Sequence, residues 1–192
     1  MSEENKTTVP KAYSYADWIT YQTHAEIDFL MELAWELPPG ATVVNIGAGV
    51  GTSGLAFLEA RDDLIYFSVD IRGEENPIGG LVNERHAFEA AGYWDTRQIT
   101  QLQGDSKEGG RDWAFGLVDL VYIDGDHTHE GCMGDWLSWK DHIKPGGVVV
   151  FHDYKCVWGP GVETTVIAVA EEHEQIGLVD TTIAFRITDN AE

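Results

Sequence analysis

Residues 43–53 read Val43-Val44-Asn45-Ile46-Gly47-Ala48-Gly49-Val50-Gly51-Thr52-Ser53. The order is an apolar strand, a glycine-rich turn and the start of a helix. A second apolar run, Leu64-Ile65-Tyr66-Phe67-Ser68-Val69, follows and ends in Asp70. Glycines at a strand-to-helix turn let a ligand approach the backbone closely. An acid at the end of the next strand is placed to accept hydrogen bonds from ribose hydroxyls. Together, turn and acid predict a nucleoside-containing cofactor.

Outward from this core, strand and helix patterns alternate. The first strand spans about 42–46 and is followed by a helix over about 52–61, which Thr52 and Ser53 are placed to cap. Strand two is about 64–69, and a polar loop from Arg72 to Gly79 leads to a helix near 80–91. Strand three covers 98–102, a short helix follows Asp105-Ser106, and strand four runs from Leu117 to Ile123. A helix over about 130–142 precedes a Pro145-Gly146-Gly147 turn into strand five, 148–151. Residues 162–174 read as helical, and 181–187 close the chain as a strand paired with 177–179. Near-continuous apolar runs on the central strands predict a sheet covered on both faces. The fold class is therefore α/β: a doubly wound, Rossmann-like, mostly parallel sheet with an antiparallel C-terminal strand and added N-terminal helices.

The polar segment 1–12 reads as a flexible arm, and 13–192 as one domain. Within it, 13–38 forms a helical region carrying apolar residues from Trp18 to Leu37 at helical spacing, stopped by Pro38-Pro39-Gly40. It should lie outside the sheet, as a lid or as the surface of a homodimer. Trp18, Tyr21 and Trp35 read as packing residues of these helices, with a substrate lid as the sharper alternative.

The 192 residues carry 12 Lys+Arg against 33 Asp+Glu, a formal net charge of −21. Such a balance argues against nucleic acid and against anionic membranes as partners. It is ordinary for solubility or for life in high salt. Cys132 and Cys156 make neither a disulfide framework nor a CxxC metal site. No apolar run approaches the roughly 20 residues that span a bilayer. The N-terminus lacks the apolar core of a signal peptide, so a cytoplasmic location is expected.

The glycine spacing decides which cofactor. A dinucleotide turn follows G-x-G-x-x-G/A, but here the third position is Thr52 and Gly51 falls one residue early. The spacing G-x-G-x-G resembles the S-adenosylmethionine loop of class I methyltransferases, and the resemblance covers roughly residues 40–190. Later segments sharpen it: Gln103-Gly104-Asp105-Ser106 after strand three, Ile123-Asp124-Gly125-Asp126-His127 after strand four, and Pro145-Gly146-Gly147-Val148-Val149-Val150-Phe151-His152-Asp153-Tyr154 through strand five. These are similar to a small-molecule branch that includes macrocin-type sugar O-methyltransferases and cephalosporin-hydroxylase-like proteins.

The resemblance implies S-adenosylmethionine (SAM) as cofactor and methylation of oxygen on a small hydroxylated molecule, a sugar or a natural-product intermediate. It implies that Gly47, Gly49 and Gly51 cradle the methionine part, that Asp70 meets the ribose, that Asp105 and Ser106 meet the adenine edge, and that Ile71 is among the cofactor-binding residues. Asp124 lies beside them, at the reaction centre. The residue ending strand one is usually acidic in this family and orients the methionine end; here it is Asn45, which accepts a hydrogen bond without charge.

Asp124, Asp126, His127, His152 and Asp153 follow neighbouring strands and should converge. Clustered charge is costly unless compensated. Relatives of the catechol type bind Mg²⁺ at the positions of Asp124, His152 and Asp153, but a histidine ligand fits a transition metal better. Without a metal, His127 is the candidate general base with Asp124 beside it; the plainer alternative is a loop histidine that orients Asp124 or caps the next helix. His129 reads as solvent-facing, and His24, His86, His142 and His173 as surface or packing residues. Trp136 and Trp139 belong to a helix face, and Trp158-Gly159-Pro160-Gly161 could wall a substrate pocket. Two rival readings stay open: a metal-dependent hydroxylase-like enzyme on the same fold, and a SAM-binding protein without turnover.

Overall fold

The computed structural model describes residues 9–19, 22–71 and 81–188. Its elements are α1 (Lys11–Ile19), α2 (His24–Glu36), β1 (Thr42–Ile46), α3 (Thr52–Ala60), β2 (Ile65–Asp70), α4 (Leu81–Ala91), β3 (Gln98–Gln103), α5 (Ser106–Arg111), β4 (Val118–Ile123) and α6 (His129–Trp139), then β5 (Ile143–Phe151), α7 (Pro160–Ala170), β6 (Glu174–Val179) and β7 (Thr182–Arg186). The strands form one sheet in the order β3-β2-β1-β4-β5-β7-β6. The first five are parallel to their neighbours, and β7 runs antiparallel to both β5 and β6. The order reverses direction between β1 and β4, and a doubly wound sheet opens a crevice at the strand ends there.

Strand alternation divides the core into two layers. Val43, Tyr66, Leu120, Tyr122 and Val150 face Ile27, Leu30, Leu55, Phe57 and Phe88 on one side. Val44, Ile46, Phe67, Val121 and Phe151 face Trp136, Trp139, Val162 and Val166 on the other. Burial on both faces is why these strands read as continuous apolar runs.

The expected N-terminal helices are α1 and α2, and Thr23 caps the second: its hydroxyl accepts from the Glu26 amide while the Glu26 carboxylate accepts from the Thr23 amide. Other expectations need correction. These helices are built into the core rather than laid outside it, with Ala12, Ile27 and Leu30 fully buried. Lys11 and Ala12 belong to α1 rather than to an arm. Helix α7 ends at Ala170, and residues 174–179 are the edge strand β6. The expected arm up to residue 8, most of the loop after Asp70 and the side chains of Trp18 and Tyr21 lie outside the described residues. The Pro145-Gly146-Gly147 turn lies inside β5 as an irregularity, where the β4 register jumps from Val118 opposite Ile143 to Leu120 opposite Val148.

Asn45 has a structural explanation. It is fully buried, and its Nδ2 donates to the Tyr66 hydroxyl at 2.8 Å and to Ser53 Oγ at 3.0 Å. The Tyr66 hydroxyl donates its single proton in a hydrogen bond to Glu84 Oε1 at 2.6 Å, and Ser68 and Gln101 donate to the other Glu84 oxygen. Burial raises the Glu84 carboxyl above its usual range, and the network already holds one acid. An aspartate at position 45 would have no proton to give the Tyr66 oxygen and would bring a second acid into the same dry layer. Asn45→Asp should therefore lower unfolding free energy by about 1–3 kcal/mol. Urea denaturation of the two proteins at neutral pH measures this, and equal midpoints would contradict it.

Candidate active site

The sheet's C-terminal strand ends open into a cavity of about 1040 Å³. Its floor is set by one close approach. Gly47, at φ 81°, lies so near β4 that an added Cβ would meet the Asp124 carbonyl oxygen at 2.0 Å. Its amide donates to Val69 O of β2, and the Asp124 amide donates to Ile46 O. The turn is thereby docked between β2 and β4. Gly49 faces open space, an added Cβ there meeting only Gly47 O at 3.9 Å. Its amide donates to Asp70 Oδ2 at 3.0 Å, and Asp70 is 5% exposed at the end of β2.

Of the residues expected at a cofactor, Gly47, Gly49, Asp70, Ile71, Asp105, Ser106 and Asp124 line this cavity. Asn45 and Gly51 do not. Asn45 faces the core layer described above. Gly51, at φ 92°, precedes α3, and an added Cβ would press on the Glu84 backbone at 3.1 Å. These two residues shape the turn from behind.

Asp105 caps α5 by accepting from the Lys107 amide at 2.8 Å. Ser106 Oγ donates to Asp135, an acid of α6 that is 2% exposed. Burial pushes the Asp135 carboxyl up to about 6, against the Ser106 hydrogen bond and the nearby Lys107 charge.

The other half of the cavity gathers the charged groups. His152, at the end of β5, is 4% exposed. Its Nδ1 lies 3.2 Å from Asp124 Oδ1 and 3.5 Å from Asp153 Oδ2, and its Nε2 lies 3.6 Å from Glu26 Oε1. Burial opposes a charge on His152, but Asp124, Asp153 and Glu26 outweigh it and push the imidazole far above its usual range. The acids respond in kind. Burial would raise Asp124, but the His152 charge and hydrogen bonds from His127 and His152 draw it down to about 2. Glu26 is likewise drawn down to about 2, burial being outweighed by His152 and by the Thr23 and Thr181 donors. Asp153 is lowered too, by His152 against burial. It sits at φ 60°, a left-handed conformation that aspartate tolerates better than most residues.

His127, in the loop after β4, places Nε2 3.3 Å from Asp124 Oδ1 and 3.2 Å from Asp153 Oδ2. The Asp124 hydrogen bond raises its pKa above the ordinary imidazole value of 6.5, burial partly opposing. Of the histidines expected elsewhere, His129 is exposed, and His142 Nε2 donates to the Gly110 carbonyl oxygen. Trp158 lines the cavity mouth and is 83% exposed.

One ligand atom each from Asp124, His152 and Asp153 lies within 4.8 Å of the others. The donor set does not fit Mg²⁺, which takes oxygen ligands in octahedral array. Two carboxylates and one imidazole suit a softer transition-metal cation better.

Sequence reasoning missed Gln22, Glu26, Tyr122 and Thr181. Gln22 Nε2 donates to the Tyr122 hydroxyl at 2.7 Å, and that hydroxyl lies 3.3 Å from Asp124 Oδ2. Thr181 donates to Glu26 Oε1 through its amide and its hydroxyl, and Thr182 through its hydroxyl. The capping pattern Thr23-x-x-Glu26 was legible, but not that Glu26 also turns toward His152. Tyr122 is hidden in an apolar strand, and Thr181 lies 155 residues from its partner.

Residues 44–154 match a family model described as a methyltransferase domain. A Mycobacterium tuberculosis protein named "Probable O-methyltransferase Rv1220c" is 31% identical over 125 residues, covering 64% of this chain and 52% of that protein. A Mycobacterium sp. relative also named as an O-methyltransferase is 29% identical over 124 residues, 64% of this chain and 53% of its own length. The chain thus spans about half the length of these curated relatives. Among solved structures, the O-methyltransferase TomG from Streptomyces achromogenes, in complex with SAM, superposes with a TM-score of 0.67 at 17% identity over 97% of this chain and 91% of TomG. The SAH-bound methyltransferase PaMTH1 from Podospora anserina gives 0.71 at 14% identity over 95% and 89%. Both show the same fold.

Asp135 gives the site a pH signature in stability. Its folded pKa of about 6 exceeds the ordinary 3.8, so its stabilising contribution is complete below 3.8 and is lost as pH rises through about 6. Asparagine keeps an acceptor for Ser106 without the charge. Asp135→Asn should match the parent near pH 4 and exceed it by about 1–3 kcal/mol at pH 8. Melting temperatures at the two pH values check this; a pH-independent difference would refute it.

Proposed function

This chain belongs to the methyltransferase-domain family, and we propose that it methylates oxygen on a small hydroxylated molecule, a sugar or natural-product intermediate, using SAM. The observation that carries this reading is the cavity at the C-terminal strand ends, with glycine backbone open at Gly49 and a buried acid at Asp70. The O-methyltransferase names of the mycobacterial relatives and the SAM in TomG support it.

The residues fit the cofactor. The Gly47–Gly49 backbone would hold the methionine part, and Asp70 would accept from the ribose hydroxyls. Asp105, Ser106 and the 71% exposed Ile71 would meet the base. When bound, SAM supplies an electrophilic methyl group, and the chain's task is then positioning and proton removal. His127 is the candidate base. Its Nε2 faces Asp124 and Asp153, which stabilise the ring once it gains a second proton. Its Nδ1 takes no hydrogen bond among the described residues and is the atom that would receive the acceptor's hydroxyl proton. His152, held charged between acids, serves as their counter-ion and not as a base. Nothing in this sequence of roles requires a divalent cation.

Isothermal titration with SAM or S-adenosylhomocysteine tests the cofactor assignment. Saturable binding is expected, weakened about 10- to 100-fold by Asp70→Ala, and no binding by the intact protein would remove the reading. His127→Ala should lower kcat by about 10²–10⁴ with S-adenosylhomocysteine affinity unchanged. The base is active only when neutral, and its pKa is raised, so kcat/KM should climb with pH through an inflection above 6.5. EDTA should leave turnover intact; loss that Mn²⁺ or Mg²⁺ restores would show a metal requirement instead.

A further inference from the structure

The acceptor half of the cavity has a charge that the reaction itself does not demand. Around the end of β5, the carboxylates of Glu26, Asp124 and Asp153 face the imidazoles of His127 and His152, and Asp180, which accepts from the Thr23 hydroxyl, lines the same cavity. Even with both rings protonated, this half stays negative. Among the described residues lining the cavity, Lys107 is the sole lysine or arginine, and it lies on the other half, 3.8 Å from Asp105. The chain's net charge of −21 adds a long-range field of the same sign.

Two further observations point to a ligand. Gln22 lines this half and is 7% exposed; its Nε2 is used by Tyr122, while its Oε1 is buried with no partner. A buried amide oxygen without a donor is costly, and a ligand N–H or O–H would satisfy it. At the mouth stands the indole of Trp158, 83% exposed beside Val157 at 84%. An exposed indole at an acidic opening is a platform for a cation, which is attracted to the face of the ring.

We propose that the acceptor is a hydroxylated molecule bearing an ammonium group, such as an amino sugar or an arylalkylamine, and that the site rejects anionic acceptors. The ammonium is held between Trp158 and the acids of the β5 and β6–β7 loops, and Gln22 Oε1 accepts a proton from the same ligand. Phosphorylated, carboxylated and nucleotide-linked acceptors would have to bring a negative charge against Asp153 and Asp180. This inference rests on the methyl-transfer reading for the word acceptor, but the charge preference belongs to the cavity itself.

The test uses matched pairs that differ in charge: glucosamine against glucuronate, and dopamine against 3,4-dihydroxyphenylacetate. Each is titrated calorimetrically into the protein alone and into the protein loaded with S-adenosylhomocysteine. The ammonium member of a pair should bind about 10-fold or more tightly than the anion at low salt. The gap should narrow as NaCl screens the exposed charges. Trp158→Ala should weaken the ammonium ligand about 3- to 10-fold with S-adenosylhomocysteine affinity unchanged. Asp180 is exposed at φ 49°, a conformation asparagine also tolerates, so Asp180→Asn folds and should shrink the charge preference. Equal or tighter binding of the anions, or no difference within either pair, overturns the proposal. Charge preference without S-adenosylhomocysteine binding would instead retain it and reject the methyl-transfer reading.

Discussion

The buried charge on His152 is the constraint around which the active end of the molecule is arranged. An imidazolium at 4% exposure is stable only if carboxylates surround it, and three do, each from a different part of the chain. Asp124 comes from the end of β4, Asp153 from the residue after His152 itself, and Glu26 from the first turn of α2. Glu26 in turn is held by Thr181 and Thr182 at the β6–β7 turn. Helix α2, the central strands and the C-terminal hairpin therefore meet at one ring. Removing any acid would leave its partners with uncompensated charge in a poorly solvated place.

The same balance bears on chemistry. Where a cluster of acids and histidines is found at strand ends, a metal is the usual compensating charge to consider. Here two imidazoles lie among the acids. His127 and His152 look equivalent in the sequence, both following apolar strands, but their burial separates them: His152 is enclosed among acids, and His127 is part-exposed and lines the cavity. Environment divides counter-ion from candidate base.

Behind the glycine turn, a second buried polar network settles the meaning of Asn45. At this position the resemblance leads one to expect an acid that touches the cofactor. The acid of this chain's inner layer is Glu84, on α4, reached from Asn45 through the Tyr66 hydroxyl. Asn45 is a donor in a chain of hydrogen bonds that needs one, and Gly51 gives Glu84's backbone room to approach. The departure from the family pattern is thus a matter of how the turn is supported and leaves the turn itself open to the cavity.

Local physics made much of this legible in the sequence. Two-sided burial writes continuous apolar runs, so the parallel strands and their α/β order could be read directly. The Gly47–Gly49 turn and Asp70 could be placed at adjacent strand ends, because a close backbone approach and an acid at a strand terminus each leave a short-range signature. Tertiary structure alone decided that Asn45 and Gly51 face the core, that Gln22, just before α2, and Glu26 of α2 reach the cavity, and that Asp180 and Thr181 join them. The bonds of Gln22 to Tyr122 and of Glu26 to Thr181 link residues 100 or more positions apart. Nothing in a single residue's type or spacing records which distant partner will share its charge or its proton; only packing the two helical layers onto the sheet brings them within reach.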